Sequence, residues 1–175
     1  AGITSHTVNG LRVTSEEMIG LVQSTLIGKV NPALVHELQS AGIAAIGLNG
    51  FDNALLASDF LDFDTYQYVG EVKQVNVAIL NTLTEAGIVP VIACIGATES
   101  GQALNINGDT VASEIALAVG ADCLLLVTDV AGIRINDEYQ TEGTPSLIDT
   151  WIEEGHIYGG MIPKVQGALN CLKAG

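Results

Sequence analysis

The chain has 175 residues, 48% of them apolar, a mean hydropathy of +0.40 and a formal net charge of −14. One domain with a real core is expected from that length. Six Lys and Arg are too few for a nucleic-acid footprint. No uninterrupted apolar run reaches the ~18 residues of a membrane span, and no basic region followed by an apolar block suggests a signal peptide.

Residues 1–9 read as polar and turn-like. Asn9-Gly10-Leu11-Arg12-Val13-Thr14 leads to a helix over 16–27, capped by Thr14 or Ser15 with Glu16 and Glu17 in its first turn. Met18, Leu21, Val22 and Leu26 make an apolar stripe at helical spacing, suited to core or to a subunit interface. Asn31-Pro32 predicts a second helix, Asn as N-cap and Pro at the first position, stopping at Gly42. The apolar run 43–48 predicts a buried strand. Residues 51–66 read as irregular, with Asp52, Asp59, Asp62 and Asp64 as a solvated acidic loop. An alternating ribbon follows over 66–77, then a helix over 76–86, a buried strand over 88–95 and a short strand over 102–106.

Asn105-Ile106-Asn107-Gly108-Asp109 opens a nearly all-apolar helix over 110–119, with Asp109 read as its N-cap and Gly120 as its stop. A third buried strand is expected over 123–128. Residues 134–145 read as polar and mobile, 147–154 as a helix, and the last helix runs from 163 to 173. Apolar strands separated by helices predict an α/β chain with a largely parallel sheet. Its ligands bind outside the carboxyl ends of the strands, where the loops 49–53, 96–101 and 128–133 fall.

Cys94, Cys123 and Cys171 are odd in number and lie in apolar segments. Buried free thiols are expected, which suits a reducing cytoplasm. No Cys/His cluster has metal-ligand spacing, and His6, His36 and His156 lack partners at recognisable spacing, so no metal site and no catalytic histidine is expected.

Gly159-Gly160-Met161-Ile162-Pro163-Lys164 carries the sharpest local argument. Pro163 suits the first helical position, which puts Lys164 in the first turn. A cation there is disfavoured by roughly 0.3–1 kcal/mol unless an anion shares the site. Either a phosphate site with Lys164 as counter-charge or a solvated lysine beside a flexible turn satisfies the pattern. Asp129, closing a strand, can accept from a ribose hydroxyl, bind magnesium indirectly or cap a turn. Arg12 can grip a substrate carboxylate or make a surface ion pair.

The blocks from Asn9 to Thr14, Gly70-Glu71-Val72, 105–109, Thr128-Asp129-Val130-Ala131-Gly132-Ile133 and Gly160 to Val165 occur in an order that resembles the acetylglutamate kinases of the amino acid kinase family. The resemblance covers almost the whole chain, 1–175. It implies a three-layer α/β/α sandwich with a mostly parallel central sheet, and transfer of the ATP γ-phosphoryl group to the side-chain carboxylate of N-acetyl-L-glutamate, a step of arginine biosynthesis. It implies that Arg12 and Asn105 hold the amino acid, that Asp109 orients catalytic lysines and that Lys164 stabilises the transferring phosphoryl group. Asp129, Val130, Ala131, Gly132, Ile133, Arg134, Ile157 and Tyr158 would line the nucleotide pocket, with magnesium held mainly by the nucleotide phosphates. A cytoplasmic homodimer without membrane attachment is expected.

The family's first strand with its Lys and Gly-Gly turn, its second Gly-rich loop and its last strand find no match, so the chain reads as the middle and most of the C-terminal part of a kinase. Phe51 stands where many relatives have Lys, and Gly108 where Ala is commoner. A sister kinase for an aminoadipate derivative and a non-catalytic binding or regulatory module remain alternatives.

Overall fold

The computed structural model describes residues 6–174, so the first part of the turn-like start expected over 1–9 lies outside the described residues. A small antiparallel hairpin comes first, β1 (Thr7–Val8) and β2 (Leu11–Arg12). Asn9 and Gly10 turn it, both at positive φ, as a two-residue turn of the primed kind requires. Helix α1 (Glu16–Thr25) is capped by Ser15, whose hydroxyl accepts from the Met18 N–H at 3.3 Å.

The helix does not end where Asn31-Pro32 was expected to start another. A widened turn over Leu26–Val30, in which the Asn31 N–H reaches back to the Leu26 carbonyl, carries it directly into α2 (Asn31–Ser40). The extra residue in that turn falls where Pro32 interrupts the ordinary hydrogen-bond ladder. Asn31 is therefore not a cap. It is buried, and its Nδ2 donates to the Val91 carbonyl at 2.8 Å and to that of Leu48 at 3.5 Å. A Cβ at Gly47 would strike the same side chain. Residues 16–40 thus form a 25-residue helix whose best window has a mean hydropathy of 1.2, long and apolar enough by composition to cross a membrane. Here its Ile19, Val22 and Leu26 pack on Ile95 and Ala103. That packing, with Met18 at 6% exposure, takes most of the stripe proposed as a subunit interface into the core.

Strand β3 (Ala45–Asn49) pairs in parallel with β6 (Val89–Ala93), Ala45 opposite Val89 and Asn49 opposite Ala93. A second sheet has the order β5 (Gly70–Val75), β4 (Leu56–Phe60), β7 (Ile95–Ala97), β8 (Ala103–Asn105). In it β4 and β7 are parallel and the two outer pairings antiparallel. Only Cys94 separates β6 from β7, so the single strand expected over 88–95 breaks there and passes from one sheet to the other. Helix α3 (Phe63–Tyr66) and helix α4 (Val77–Glu85), the latter capped by Asn76, flank the strands. Helix α5 (Gly108–Val119) stops at Gly120, which adopts the left-handed conformation. The core beneath α4 and α5 joins Leu48, Leu55, Leu56, Leu80, Ile106 and Val111. Burying one such side chain is worth about 1.5–3 kcal/mol.

The architecture is α/β with parallel and antiparallel pairings, and three local expectations are corrected. Residues 51–66 are not irregular throughout: β4 forms there, and two of the four acids cap turns, while Asp59, Asp62 and Asp64 are solvent-exposed as expected. Asp52 accepts from the Asn49 N–H and carboxamide, and Asp62 caps α3 by accepting from the Asp64 and Thr65 N–H groups. The bonds from Thr65 hold the Asp62 carboxyl below its ordinary value. Residues 123–128 form no strand. Leu125 and Val127 stand 81% and 83% exposed, and Cys123 is an exposed rather than a buried thiol. An apolar run becomes a buried strand only where a neighbour satisfies its backbone groups, and among the described residues none pairs with it. Residues 134–145, in turn, contain a hairpin, β9 (Arg134–Ile135) and β10 (Glu138–Tyr139). Its turn residues Asn136 and Asp137 both have positive φ.

Helices α6 (Pro145–Glu153), capped by Thr144, and α7 (Met161–Ala174) complete the chain. They close on a separate apolar cluster of Ile148, Trp151, Ile157, Val165 and Leu169.

Candidate active site

The entry to α5 sets the site. Asn107, not Asp109, is its cap: the Asn107 Oδ1 accepts from the N–H groups of Asp109 at 2.9 Å and Thr110 at 3.1 Å. With those orphan donors satisfied, the Asp109 carboxylate is free to leave the helix axis. It accepts from the Lys164 Nζ at both oxygens, at 3.0 and 2.9 Å. The two side chains are 20% and 24% exposed, in the open enough to meet a ligand and enclosed enough to be held.

Helix α7 begins at Met161, two residues before Pro163, which leaves Lys164 still in the first turn. The anion that offsets its unfavourable dipole position is Asp109, itself favourably placed in the first turn of α5. Two positive helix ends thus converge on one ion pair. Two N–H groups of the ammonium meet Asp109, and a third remains for a further acceptor. The two helix N-termini favour an acceptor at that remaining N–H.

Two cavities flank this pair: Lys164 lines the first, and Asn107 and Gly108, which precede Asp109, line the second. The first, about 760 Å³, is lined by Asp129, Val130, Gly132, Ile133, Arg134, Ile157 and Tyr158 together with Lys164. Ala131 is not among its lining residues. His156, expected to have no catalytic role, and Tyr139, which no motif marked, also line it. Arg134 pairs with Asp137 at 3.0 Å and lies over the Tyr139 ring at 5.9 Å. The only sequence sign of this corner was Asn136-Asp137 between Ile135 and Glu138, a two-residue turn that folds Tyr139 back onto Arg134.

The second cavity, about 560 Å³, has Arg12, Asn105, Asn107, Gly108 and Cys94 in its wall. Arg12 is the one cation among these lining residues. The Asn105 Nδ2 donates to the Thr14 Oγ1 at 2.9 Å, and the fully buried Thr14 hydroxyl donates to the Arg12 carbonyl at 3.1 Å. This chain of bonds couples the end of β8 to the hairpin that carries Arg12. Burial pushes the Cys94 thiol up, and the Asp109 carboxylate adds to the shift, so this wall residue stays protonated and neutral.

The cavities are joined by a close backbone approach. A Cβ on Gly10 would lie 3.0 Å from the Gly159 carbonyl oxygen. The Asn9-Gly10 turn therefore rests on the Gly159-Gly160 turn that opens α7, and only glycine permits both that contact and the φ of +80° at position 10. Among the described residues, no three His, Cys, Asp or Glu converge as metal ligands.

The amino acid kinase family matches residues 1–175. The chain is 45% identical over 170 residues to an acetylglutamate kinase of Geobacillus kaustophilus, covering 97% of itself and 66% of that protein. An acetylglutamate kinase of Leuconostoc citreum is 40% identical, with 96% and 69% covered. The chain thus spans about two thirds of the length of these relatives. Among solved structures, smu.665 from Streptococcus mutans superposes with a TM-score of 0.95 at 35% identity, over 99% of this chain and 71% of that one. An N-acetylglutamate synthase from Neisseria gonorrhoeae, complexed with coenzyme A and N-acetyl-glutamate, shares the fold at a TM-score of 0.79 and 22% identity, with 99% and 40% covered.

Proposed function

The chain belongs to the amino acid kinase family, and from that premise we propose that it carries the phosphoryl-acceptor site and much of the nucleotide site of an acetylglutamate kinase. In this reading ATP occupies the first cavity and N-acetyl-L-glutamate the second. The observation that carries it is the Lys164–Asp109 pair, whose lysine lines the first cavity and whose aspartate directly follows Asn107 and Gly108 in the wall of the second.

Phosphoryl transfer needs positioning and charge stabilisation rather than covalent help from the protein. An oxygen of the substrate's side-chain carboxylate attacks the γ-phosphorus, the bond from that phosphorus to the β–γ bridging oxygen breaks, and ADP leaves. Lys164 supplies its remaining N–H to the transferring group, where charge is redistributed as the bond breaks. Asp109 fixes the ammonium and keeps it from collapsing onto either substrate. Arg12 takes the α-carboxylate. Asn105, oriented by the bond from its Nδ2 to Thr14, offers its Oδ1 as acceptor to the acetamido N–H. Asp129 and Arg134 flank the nucleotide, with Ile157 and Tyr158 against its base. Magnesium, held mainly by the nucleotide phosphates, would supply charge neutralisation there. The reading places the protein in the cytoplasm as a homodimer, which sedimentation of the full gene product at micromolar concentration checks.

An ADP-release assay on the full gene product, run side by side with N-acetylglutamate, glutamate and N-acetylaminoadipate, tests the assignment. N-acetylglutamate is expected to be the preferred acceptor. Preference for the aminoadipate derivative would transfer the site to the sister activity, and no ADP release with any of the three would remove the kinase reading.

A further inference from the structure

Lys164 and Asp109 sit on different helices, so something must fix the distance between α7 and α5 at their entries. One turn further along both helices, Gly167 faces Ser113. Both are buried, Ser113 at 1% exposure. Asp109 and Ser113 are four residues apart on α5, and Lys164 and Gly167 three apart on α7, so each pair shares a helix face. A Cβ built on Gly167 would overlap the Ser113 Oγ and lie 3.2 Å from its Cβ and 3.7 Å from the Asp109 carbonyl oxygen. The Ser113 hydroxyl cannot swing aside freely, because it donates to that same Asp109 carbonyl at 2.9 Å. One turn beyond, the Cys171 thiol donates to the Ser113 carbonyl at 3.5 Å, so contact between the helices continues away from the site.

We propose that Ser113 and Gly167 are positioning residues for the phosphoryl-transfer site: their close contact sets the α5–α7 spacing that lets Lys164 meet both oxygens of Asp109. Nothing at 167 but hydrogen fits against a serine at 113. Any larger side chain drives α7 outward at a point three residues from Lys164, and a displacement on the order of 1 Å at a reacting group costs about 10²-fold in rate. The proposal rests on the kinase reading for its kinetic consequence but not for its geometric one.

The test is a double-variant cycle in the full gene product, using Gly167→Ala, Ser113→Gly and the two combined. The combined variant removes the serine Cβ and Oγ that the new methyl would strike. Gly167→Ala is expected to lower kcat at least about tenfold with both KM values within about threefold, a split that general loosening does not give. In 15N spectra the Lys164 ammonium signal, slowed in exchange by its paired carboxylate, should vanish in Gly167→Ala and return in the combined variant together with kcat. Recovery of the melting temperature without recovery of kcat or of the ammonium signal would overturn the proposal, as would a normal kcat in a folded Gly167→Ala. Should Gly167→Ala fail to fold, the combined variant is compared with Ser113→Gly alone: a combined kcat below a tenth of that of Ser113→Gly overturns the proposal, and a near-equal pair supports it. If the wild type proves inactive, the kinase reading fails and the ammonium signal alone decides the spacing role.

Discussion

Residues 7–119 and residues 121–174 are built on different terms. In the first region long-range strand pairing and one bolted helix fix every element: Leu55, Leu56, Ile95 and Leu104 are fully buried, and Asn31 ties the long helix to two strands at once. In the second, two-residue strands and two helices surround the small cluster about Trp151, and the approach to it, 123–128, lies extended with Leu125 and Val127 in the open. The candidate site straddles the seam, Asp109 on α5 of the first region and Lys164 on α7 of the second. The lesson is that chemistry at such a seam depends less on either core than on the contact between them, which is narrow: the α5–α7 face and the rest of the Asn9-Gly10 turn on Gly159.

The largest expected effect separates the two cores. Trp151→Ala should cost about 3–5 kcal/mol of stability in the second region. Hydrogen exchange should then show α6 and α7 losing protection while β4 to β8 retain theirs. Uniform loss across both regions would show one cooperative unit and erase the distinction.

At the seam itself, Lys164→Met should lower kcat by about 10²-fold or more with KM for ATP within a few-fold, since one electrostatic donor to the transition state is lost. Arg12→Ala should act in the opposite sense, raising KM for the amino acid first. Near-normal kcat in a folded Lys164→Met would reduce α7 to a surface helix beside a turn.

Cysteine chemistry reads the difference in exposure directly. At about pH 8, iodoacetamide should modify exposed Cys123 at least about tenfold faster than Cys94, whose thiol is raised by burial and by Asp109. The sign for stability follows. Below the ordinary thiol range both folded and unfolded chains keep the Cys94 proton, and the folded state is unaffected. Above it the unfolded chain releases a proton that the folded chain retains, so stability falls as pH rises. Cys94→Ala should flatten that alkaline slope in denaturant titrations, and an unchanged slope would assign it to other groups.

The smallest effect sharpens the account of the helix entry. Asn107→Ala should cost about 1 kcal/mol, the usual worth of a cap, whereas a cap at Asp109 would leave Asn107→Ala nearly silent. Denaturant midpoints for Asn107→Ala and Asp109→Ala decide it.

What the sequence determined by itself was local. Ser15, Asn76 and Gly120 mark helix ends because capping is settled within one turn of chain. The runs 43–48 and 88–95 became β3, β6 and β7 because they had partners in one another and in β4. The motif blocks around Arg12, Asn105, Asp129 and Lys164 named some of the residues that line the two cavities, since chemistry-bearing side chains can be recognised before their partners are known. Tertiary structure decided the rest. Residues 123–128 have the pattern of a strand, but pairing is a property of two segments, and no described segment offers its edge. Asn31 reads as a cap and is instead a buried bolt, because the wide turn before it carries the helix past Pro32. Whether Asp109 caps its own helix or pairs with a lysine 55 residues away turned on which of two neighbouring side chains, Asn107 or Asp109, took the free N–H groups. The fit of Gly167 against Ser113 has no sequence signature at all, because steric contact between helices is written only in the distance between them.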